Sequence, residues 1–70
     1  MKLVVAGIDL GGTNVKTAIV GRNGALIVKD SRPTEAEDGL ETVRDNMSAS
    51  LEAAMEEAKA APSDLVAIGI

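Results

Sequence analysis

An apolar stretch that ends in an acidic residue and a pair of glycines limits the fold of this chain more than any other feature. Residues 3–8 (LVVAGI) are too apolar for the edge of a sheet, and residues 15–20 form a second predicted strand. Asp9 and the pair Gly11 and Gly12 lie between them. A gap this short forces a sharp turn, which glycine allows at little steric cost. The sequence therefore predicts a strand, a glycine hairpin and a second strand.

The side chains of this loop predict phosphate binding. Without a Cβ atom at Gly11 and Gly12, backbone amides can approach an anion closely. Thr13 and Asn14 add side-chain donors. Asp9 is the one anionic group nearby, and a carboxylate beside a phosphate site is explained by a divalent cation between them. Mg²⁺ suits this position because it keeps most of its waters and binds through one or two carboxylates plus phosphate oxygens.

The alternative is a structural hairpin in which these residues serve only the turn and Asp9 is a solvated strand end. A structural turn needs neither a carboxylate two residues ahead of a double glycine nor so many donors, so we favour the binding interpretation. The loop is not a P-loop, which requires Gly-Lys-Ser/Thr before a helix. The sequence also contains no Gly-x-Gly-x-x-Gly.

Residues 7–20 (GIDLGGTNVKTAIV) resemble the first phosphate motif of the actin-like ATPase superfamily, most closely that of its bacterial sugar-kinase branch, the ROK family, which includes glucokinases. The resemblance implies that Asp9 holds nucleotide-bound Mg²⁺ through water. It also implies that the loop wraps the β and γ phosphates of ATP. Lys16 stands where such kinases often carry a basic residue near the phosphates, although a solvated strand lysine is an equal alternative. The implied cofactor site consists of Asp9, Gly11, Gly12, Thr13, Asn14 and Lys16.

The activity implied by this resemblance is transfer of the γ-phosphate of Mg-ATP to a hexose hydroxyl. The family's catalytic base, second phosphate motif, adenosine motif and zinc-binding Cys and His residues have no counterpart here, and the chain contains no Cys or His. We therefore assign no catalytic residue. Residues 1–70 are expected to be a truncated N-terminal part of an ATPase-type domain, inactive alone, whose nucleotide and sugar partners meet in a longer parent chain.

Three alternatives remain open. One is a sugar-responsive transcriptional repressor of the same family, whose DNA-binding domain would normally precede the motif, whereas Met1 here leads directly into the first strand. Another is a non-enzymatic actin-like protein that binds ATP and assembles. The last is a purely structural module. The Gly-Gly-Thr-Asn sequence favours the kinase through the resemblance alone.

Charge and hydropathy exclude several other classes. Residues 1–33 carry five basic and two acidic side chains, whereas residues 34–70 carry two basic and nine acidic ones. Because the chain also lacks aromatic residues, nucleic-acid binding is disfavoured. Met1-Lys2 enters a strand without the pattern of a secretory signal. The apolar run of residues 3–8 is far too short for a membrane span. We expect a cytoplasmic protein with no membrane partner.

The predicted core is small. The chain has 70 residues, no Cys and no aromatic side chain, so Val, Ile, Leu, Ala and three Met must build the core. Residues 65–70 (LVAIGI) form an uncharged apolar strand with no turn residue after it. Such a strand offers free backbone groups to another chain. The sequence therefore predicts self-association.

The remaining pattern predicts the order β-β-β-α-β. Strands are expected over residues 3–10, 15–21 and 25–31, with Asn23-Gly24 as a two-residue type I′ turn and Pro33 ending the third strand. A capping box of Asp38 and Glu41 opens a helix that runs to about Ala60. A fourth strand begins near Leu65. The apolar helix face comprises Leu40, Val43, Met47, Leu51, Ala54, Met55 and Ala58.

The connections predict an α/β fold. Two short loops make the first three strands an antiparallel meander, and the helix is long enough for a crossover. Placing the fourth strand beside the first and parallel to it, in the order 3-2-1-4, rests on the resemblance. That is how the ribonuclease-H-like half of an actin-like kinase begins.

Overall fold

Four strands and one long helix make up most of residues 3–70, the part of the chain that the computed structural model describes. Met1 and Lys2, on which the expectation about a secretory signal depends, lie outside it. The elements are β1 (Val4–Leu10), β2 (Asn14–Gly21), β3 (Leu26–Pro33), α1 (Leu40–Glu57) and β4 (Leu65–Gly69). Short 3-10 helices at Ala36–Asp38 and Pro62–Asp64 flank α1.

The strands form one mixed sheet in the order β3-β2-β1-β4. β2 is antiparallel to both β1 and β3, and β4 is parallel to β1. The prediction of an α/β fold with this strand order is confirmed. Short loops can only join antiparallel neighbours, whereas the parallel pair needs the crossover that α1 supplies.

The core lies between α1 and one face of the sheet. Alternate residues of β1 and β2 point towards the helix, because side chains of a strand alternate between its faces. Their fully buried members include Val4 and Ile19, which pack with Ala54 and Met55 of α1. The predicted helix face is right for its C-terminal half and wrong at Leu40, which is 72% exposed because it lies at the first turn of the helix.

Both predicted helix ends are wrong. Asp38 lies in the 3-10 helix, and α1 begins after Gly39, whose φ of 99° redirects the chain in a conformation that glycine favours. Among residues 3–70, no side chain caps this end of the helix. The helix ends at Glu57 and not near Ala60. Its last carbonyl groups accept bonds from two amides, Lys59 N–H at 3.0 Å and Ala60 N–H at 3.0 Å, with Lys59 in the left-handed conformation.

The predicted two-residue turn at Asn23-Gly24 is also wrong. Gly21 N–H donates to Ala25 O at 2.9 Å, and Gly24 N–H donates to Gly21 O at 2.9 Å, which is the pattern of a three-residue loop with a glycine bulge. Within this loop only Gly24 has positive φ, at 85°. Asn23 instead accepts a bond from the Ala25 amide at 3.1 Å. A second irregularity lies within β3, where Val20 pairs with Leu26 and Ile19 pairs with Val28, so that the register shifts by one residue at Ile27.

Strand β3 extends further than predicted. Pro33 does not break it and is its last residue, opposite Asn14. Proline is compatible with this position because β3 is an edge strand, so a missing amide need not interrupt a ladder. The two added residues bring the end of β3 beside the glycine loop.

Within the described residues, the other face of the sheet carries no helix. An open depression of about 580 Å³ lies on it, lined among others by Gly7, Asp9, Lys16 and Lys29. The exposed edge strand β4 has no charged residue, whereas β3 at the opposite edge carries Lys, Asp and Arg. Self-association through β4 stays a prediction. Within residues 3–70, no helix has the length and apolar character that crossing a membrane requires.

Candidate phosphate-binding loop

Residues 11–14, here called the glycine loop, join β1 to β2. The last paired residues of the two strands are Leu10 and Val15. Gly11 N–H donates to Asn14 O at 2.9 Å, which closes the loop. Gly12, Thr13 and Asn14 are exposed, and both side-chain donors of the predicted site are accessible. The structure therefore brings the four predicted loop residues together at one end of the sheet.

Thr34 supports the glycine loop from the end of β3. Its hydroxyl donates to the Gly11 carbonyl at 2.7 Å, and its backbone N–H donates to the Thr13 carbonyl at 2.9 Å. Thr34 is only 2% exposed. Two carbonyl groups of the loop are thus turned towards one buried residue.

The amides of Gly12 and Thr13 differ from these two carbonyl groups because they are not hydrogen-bonded within residues 3–70. Among the backbone and side-chain hydrogen bonds of residues 3–70, none has either N–H as its donor. Both residues are exposed. Successive free N–H groups in an exposed turn form a positive concavity of the kind that binds anions.

Of the two reasons that the sequence gives for this glycine pair, an easy sharp turn and close approach of an anion, the structure does not support the first. Neither Gly11 nor Gly12 has φ in the left-handed region, so the turn does not need glycine's conformational freedom. A Cβ atom on Gly11 would lie 3.1 Å from Asn14 O, which is a tight contact. A Cβ atom on Gly12 would meet no atom within 4 Å. The chain's own packing therefore explains the glycine at position 11 and leaves the one at position 12 unexplained.

Asp9 and Lys16 lie directly opposite each other on β1 and β2, on the sheet face without a helix. Side chains of directly opposed residues have Cβ atoms about 5 Å apart. Both residues are exposed. In the described part of the chain the ion pair joins Arg32 to Asp30 at 2.9 Å, and neither Asp9 nor Lys16 takes part in it. A carboxylate and an ammonium group are thus accessible beside the glycine loop.

The donor set limits what metal could bind. Residues 3–70 contain no group of three or more His, Cys, Asp or Glu side chains that could hold a metal ion. A cation at Asp9 would take its other ligands from water and from a bound phosphate. This arrangement fits Mg²⁺, which binds nucleotides with few protein ligands.

Sequence reasoning missed two residues that shape the loop. Thr34 follows Pro33, and the sequence around this proline predicts only the end of a strand. Asn46 lies within α1, where its side-chain amide donates to Thr34 O at 2.9 Å and to Glu35 Oε1 at 3.0 Å. A residue of low helix propensity inside a helix was the available signal.

A buried polar cluster fixes α1 on the sheet. The hydroxyls of Thr17 and Ser50 are 2.7 Å apart, and Ser50 donates to Asp30 Oδ2 at 2.7 Å. Arg32 binds the same carboxylate through two nitrogens, at 2.9 and 3.2 Å. The bond from Arg32 lowers the pKa of Asp30, with a smaller contribution from Ser50, while burial opposes the shift. The same bond raises the pKa of Arg32.

Comparison of the chain with protein-family models, with curated proteins and with solved structures finds no match in any of the three.

Proposed function

We propose that the glycine loop binds the terminal phosphates of Mg-ATP. The observation that carries this proposal is the pair of free, exposed amides at Gly12 and Thr13, next to a glycine that the chain's own packing does not require. A phosphate that approaches these amides would explain that glycine, because a side chain there would stand between donor and ligand.

The neighbouring side chains suit the same ligand. Thr13 and Asn14 add exposed donors. Lys16 adds a positive charge on the sheet face without a helix, here called the bare face. Hydrogen bonds to a charged group contribute about 1.5–3 kcal/mol each, so a few of them account for weak phosphate binding. Asp9 would hold the Mg²⁺ ion through its water shell, and the ion would neutralise phosphate charge.

The activity that we propose for the protein is that of an ATP-dependent hexose kinase of the ROK family. The strand order supports assignment of the fold to the ribonuclease-H-like type of actin-like ATPases, because β4 returns beside β1 as in that half of these kinases. Phosphoryl transfer depends mainly on positioning and on charge neutralisation. Residues 9–16 would supply these on the nucleotide side, and we assign them no role in proton abstraction. We propose a cytoplasmic location for this reaction.

Nucleotide titration followed by amide NMR tests the phosphate site. Mg-ATP should shift the Gly12 and Thr13 amide resonances, and Mg-AMP should not, since AMP lacks the β and γ phosphates. Gly12→Val should weaken the Mg-ATP response with little loss of folding. Asp9→Asn should remove the dependence of ATP binding on Mg²⁺.

Ala25→Val is the control, since Ala25 is exposed and lies beside Gly24, at the other end of β2 from the glycine loop. It should bind Mg-ATP as the wild type does. The proposal fails if millimolar Mg-ATP leaves the loop amides unmoved, or if Gly12→Val and Ala25→Val bind it equally well.

A further inference from the structure

Thr34 contacts the glycine loop and α1 at once. Its hydroxyl and its N–H bind the Gly11 and Thr13 carbonyls, while its own carbonyl accepts the Asn46 amide at 2.9 Å. Thr34 is buried, so water does not replace these partners readily. The shape of the loop is therefore connected to a helix that lies 12 residues further along the chain.

Glu35, the next residue, has an unusual backbone conformation. Its φ of 57° and ψ of 46° are left-handed, which residues other than glycine adopt where their surroundings enforce it. Asn46 Nδ2 binds the carbonyl of Thr34 and the side chain of Glu35, at 2.9 and 3.0 Å. Such backbone outliers tend to occur at functional sites.

The peptide unit between Gly11 and Gly12 explains why this support matters. A trans peptide is planar, so its C=O and N–H point in opposite directions. When the Gly11 carbonyl is bound to the Thr34 hydroxyl, the Gly12 N–H must point away from Thr34. A peptide between two glycines rotates more easily than any other, because neither residue has a Cβ atom to restrict it. A rotated peptide would present a carbonyl oxygen to an anion, which repels it.

We propose that Thr34 and Asn46 are positioning residues for the glycine loop. Thr34 locks the Gly11-Gly12 peptide so that the Gly12 amide faces the ligand, and Asn46 holds Thr34 in place from α1. The identity of the ligand as a phosphate rests on the function proposed above, whereas the locking of the peptide does not.

The test compares four variants of the full chain. Thr34→Val removes the hydroxyl at nearly constant volume, and Thr34→Ser keeps it. Thr17→Val is the control, since Thr17 is equally buried, at 1% exposure, and its hydroxyl bonds to Ser50 and not to the loop. Asn46→Ala removes the second support. Each variant is measured for thermal stability, for ligand-free amide resonances and for affinity towards Mg-ATP.

Thr34→Val should weaken Mg-ATP binding about tenfold, the equivalent of one lost interaction, and should move the ligand-free Gly12 resonance. Asn46→Ala should weaken binding about threefold by loosening Thr34. Thr34→Ser and Thr17→Val should bind as the wild type does, although Thr17→Val should lose as much thermal stability as Thr34→Val. A structural role alone would instead make affinity follow stability in all four variants.

Unchanged affinity in Thr34→Val, or an equal loss in Thr17→Val, overturns the proposal. Should Thr34→Val not fold, unchanged affinity in Asn46→Ala overturns it instead. If the wild type does not bind Mg-ATP, the proposed function fails. The ligand-free spectra then decide whether Thr34 and Asn46 fix the Gly11-Gly12 peptide. A Gly12 resonance that moves in Thr34→Val or Asn46→Ala and not in Thr17→Val then supports the peptide lock, and one that moves in none of them refutes it.

Discussion

The two hairpin loops of this protein both contain glycine, for different reasons. In the loop of residues 22–24, Gly24 has φ of 85°, so the backbone itself requires glycine. In the glycine loop neither residue has positive φ, and Gly12 has free space where a side chain would lie. A Cβ atom would find free space at both positions, so the difference is that the backbone requires glycine at position 24 and does not require it at position 12. That difference separates a folding requirement from a candidate binding requirement.

The loops also differ in how their backbone groups are satisfied. The 22–24 loop binds itself, through Gly21, Gly24, Ala25 and the Asn23 side chain. The glycine loop depends on Thr34 for two of its carbonyls and leaves two amides free. A self-contained turn needs little from the rest of the fold, whereas a binding loop can be held from outside so that its donors stay available.

The largest effect on stability is expected for Gly24→Val. A β-branched side chain in the left-handed region should lower the free energy of unfolding by about 1–2 kcal/mol. Urea denaturation measures this loss, with Gly12→Val as the matched control because its backbone needs no such conformation. Equal losses at the two positions would erase the distinction between the loops.

Gly11→Ala should have a smaller effect. Its Cβ atom would lie 3.1 Å from Asn14 O, in the same pair of residues that closes the loop with a hydrogen bond. Adjustment of this contact should cost about 1 kcal/mol, the lower end of the range for overpacking. Thermal denaturation against wild type measures it. A gain in stability would show that a Cβ atom at Gly11 does not destabilise the fold.

Gly12→Ala should be neutral or stabilising by up to about 0.5 kcal/mol, since alanine restricts the unfolded chain at a position whose native φ it can adopt. The same variant should bind Mg-ATP more weakly. Denaturation and nucleotide titration on one sample measure both effects. A clear loss of stability here would support the structural-turn interpretation of the glycine loop.

Acid should weaken the cluster of Asp30, Arg32 and Ser50 that fixes α1 on the sheet, and it should leave the 22–24 loop unaffected. The Asp30 pKa is lowered in the folded protein, chiefly by the bond from Arg32, so the stabilisation is complete above the ordinary value of 3.8 and is lost as pH falls through the lowered value. The effect should be small because both side chains are partly exposed, and salt should reduce it.

Denaturation of wild type and Asp30→Asn at falling pH checks the acid prediction. The stability difference between the two should shrink as Asp30 becomes protonated. Below pH 3.8 the Asp30 and Ser50 amide resonances should move before that of Gly24. A pH-independent difference between the two proteins would refute this interpretation.

Much of the fold follows from local patterns. The apolar runs of β1, β2 and β4, the polar gap at residues 9–14 and the helical spacing of Ala54, Met55 and Ala58 each predict an element whose type the structure confirms. The errors concern ends and turns. Sequence predicted a cap at Asp38, a type I′ turn at Asn23-Gly24 and a break at Pro33, and each depends on how neighbouring backbone groups are paired in three dimensions.

The candidate site can likewise be divided into features that the sequence determines and features that depend on the tertiary structure. By its sequence alone the chain determined which groups are available for phosphate: the carboxylate of Asp9, the side chains of Thr13 and Asn14, the ammonium group of Lys16 and a glycine pair. Tertiary structure decided that Asp9 and Lys16 share the bare face. It also decided that Thr34 and Asn46, 20 or more residues from the glycine loop, fix the direction of its peptide groups. Composition determines which donors exist, but the direction of an amide depends on what binds the carbonyl behind it, and here that partner comes from a distant part of the chain.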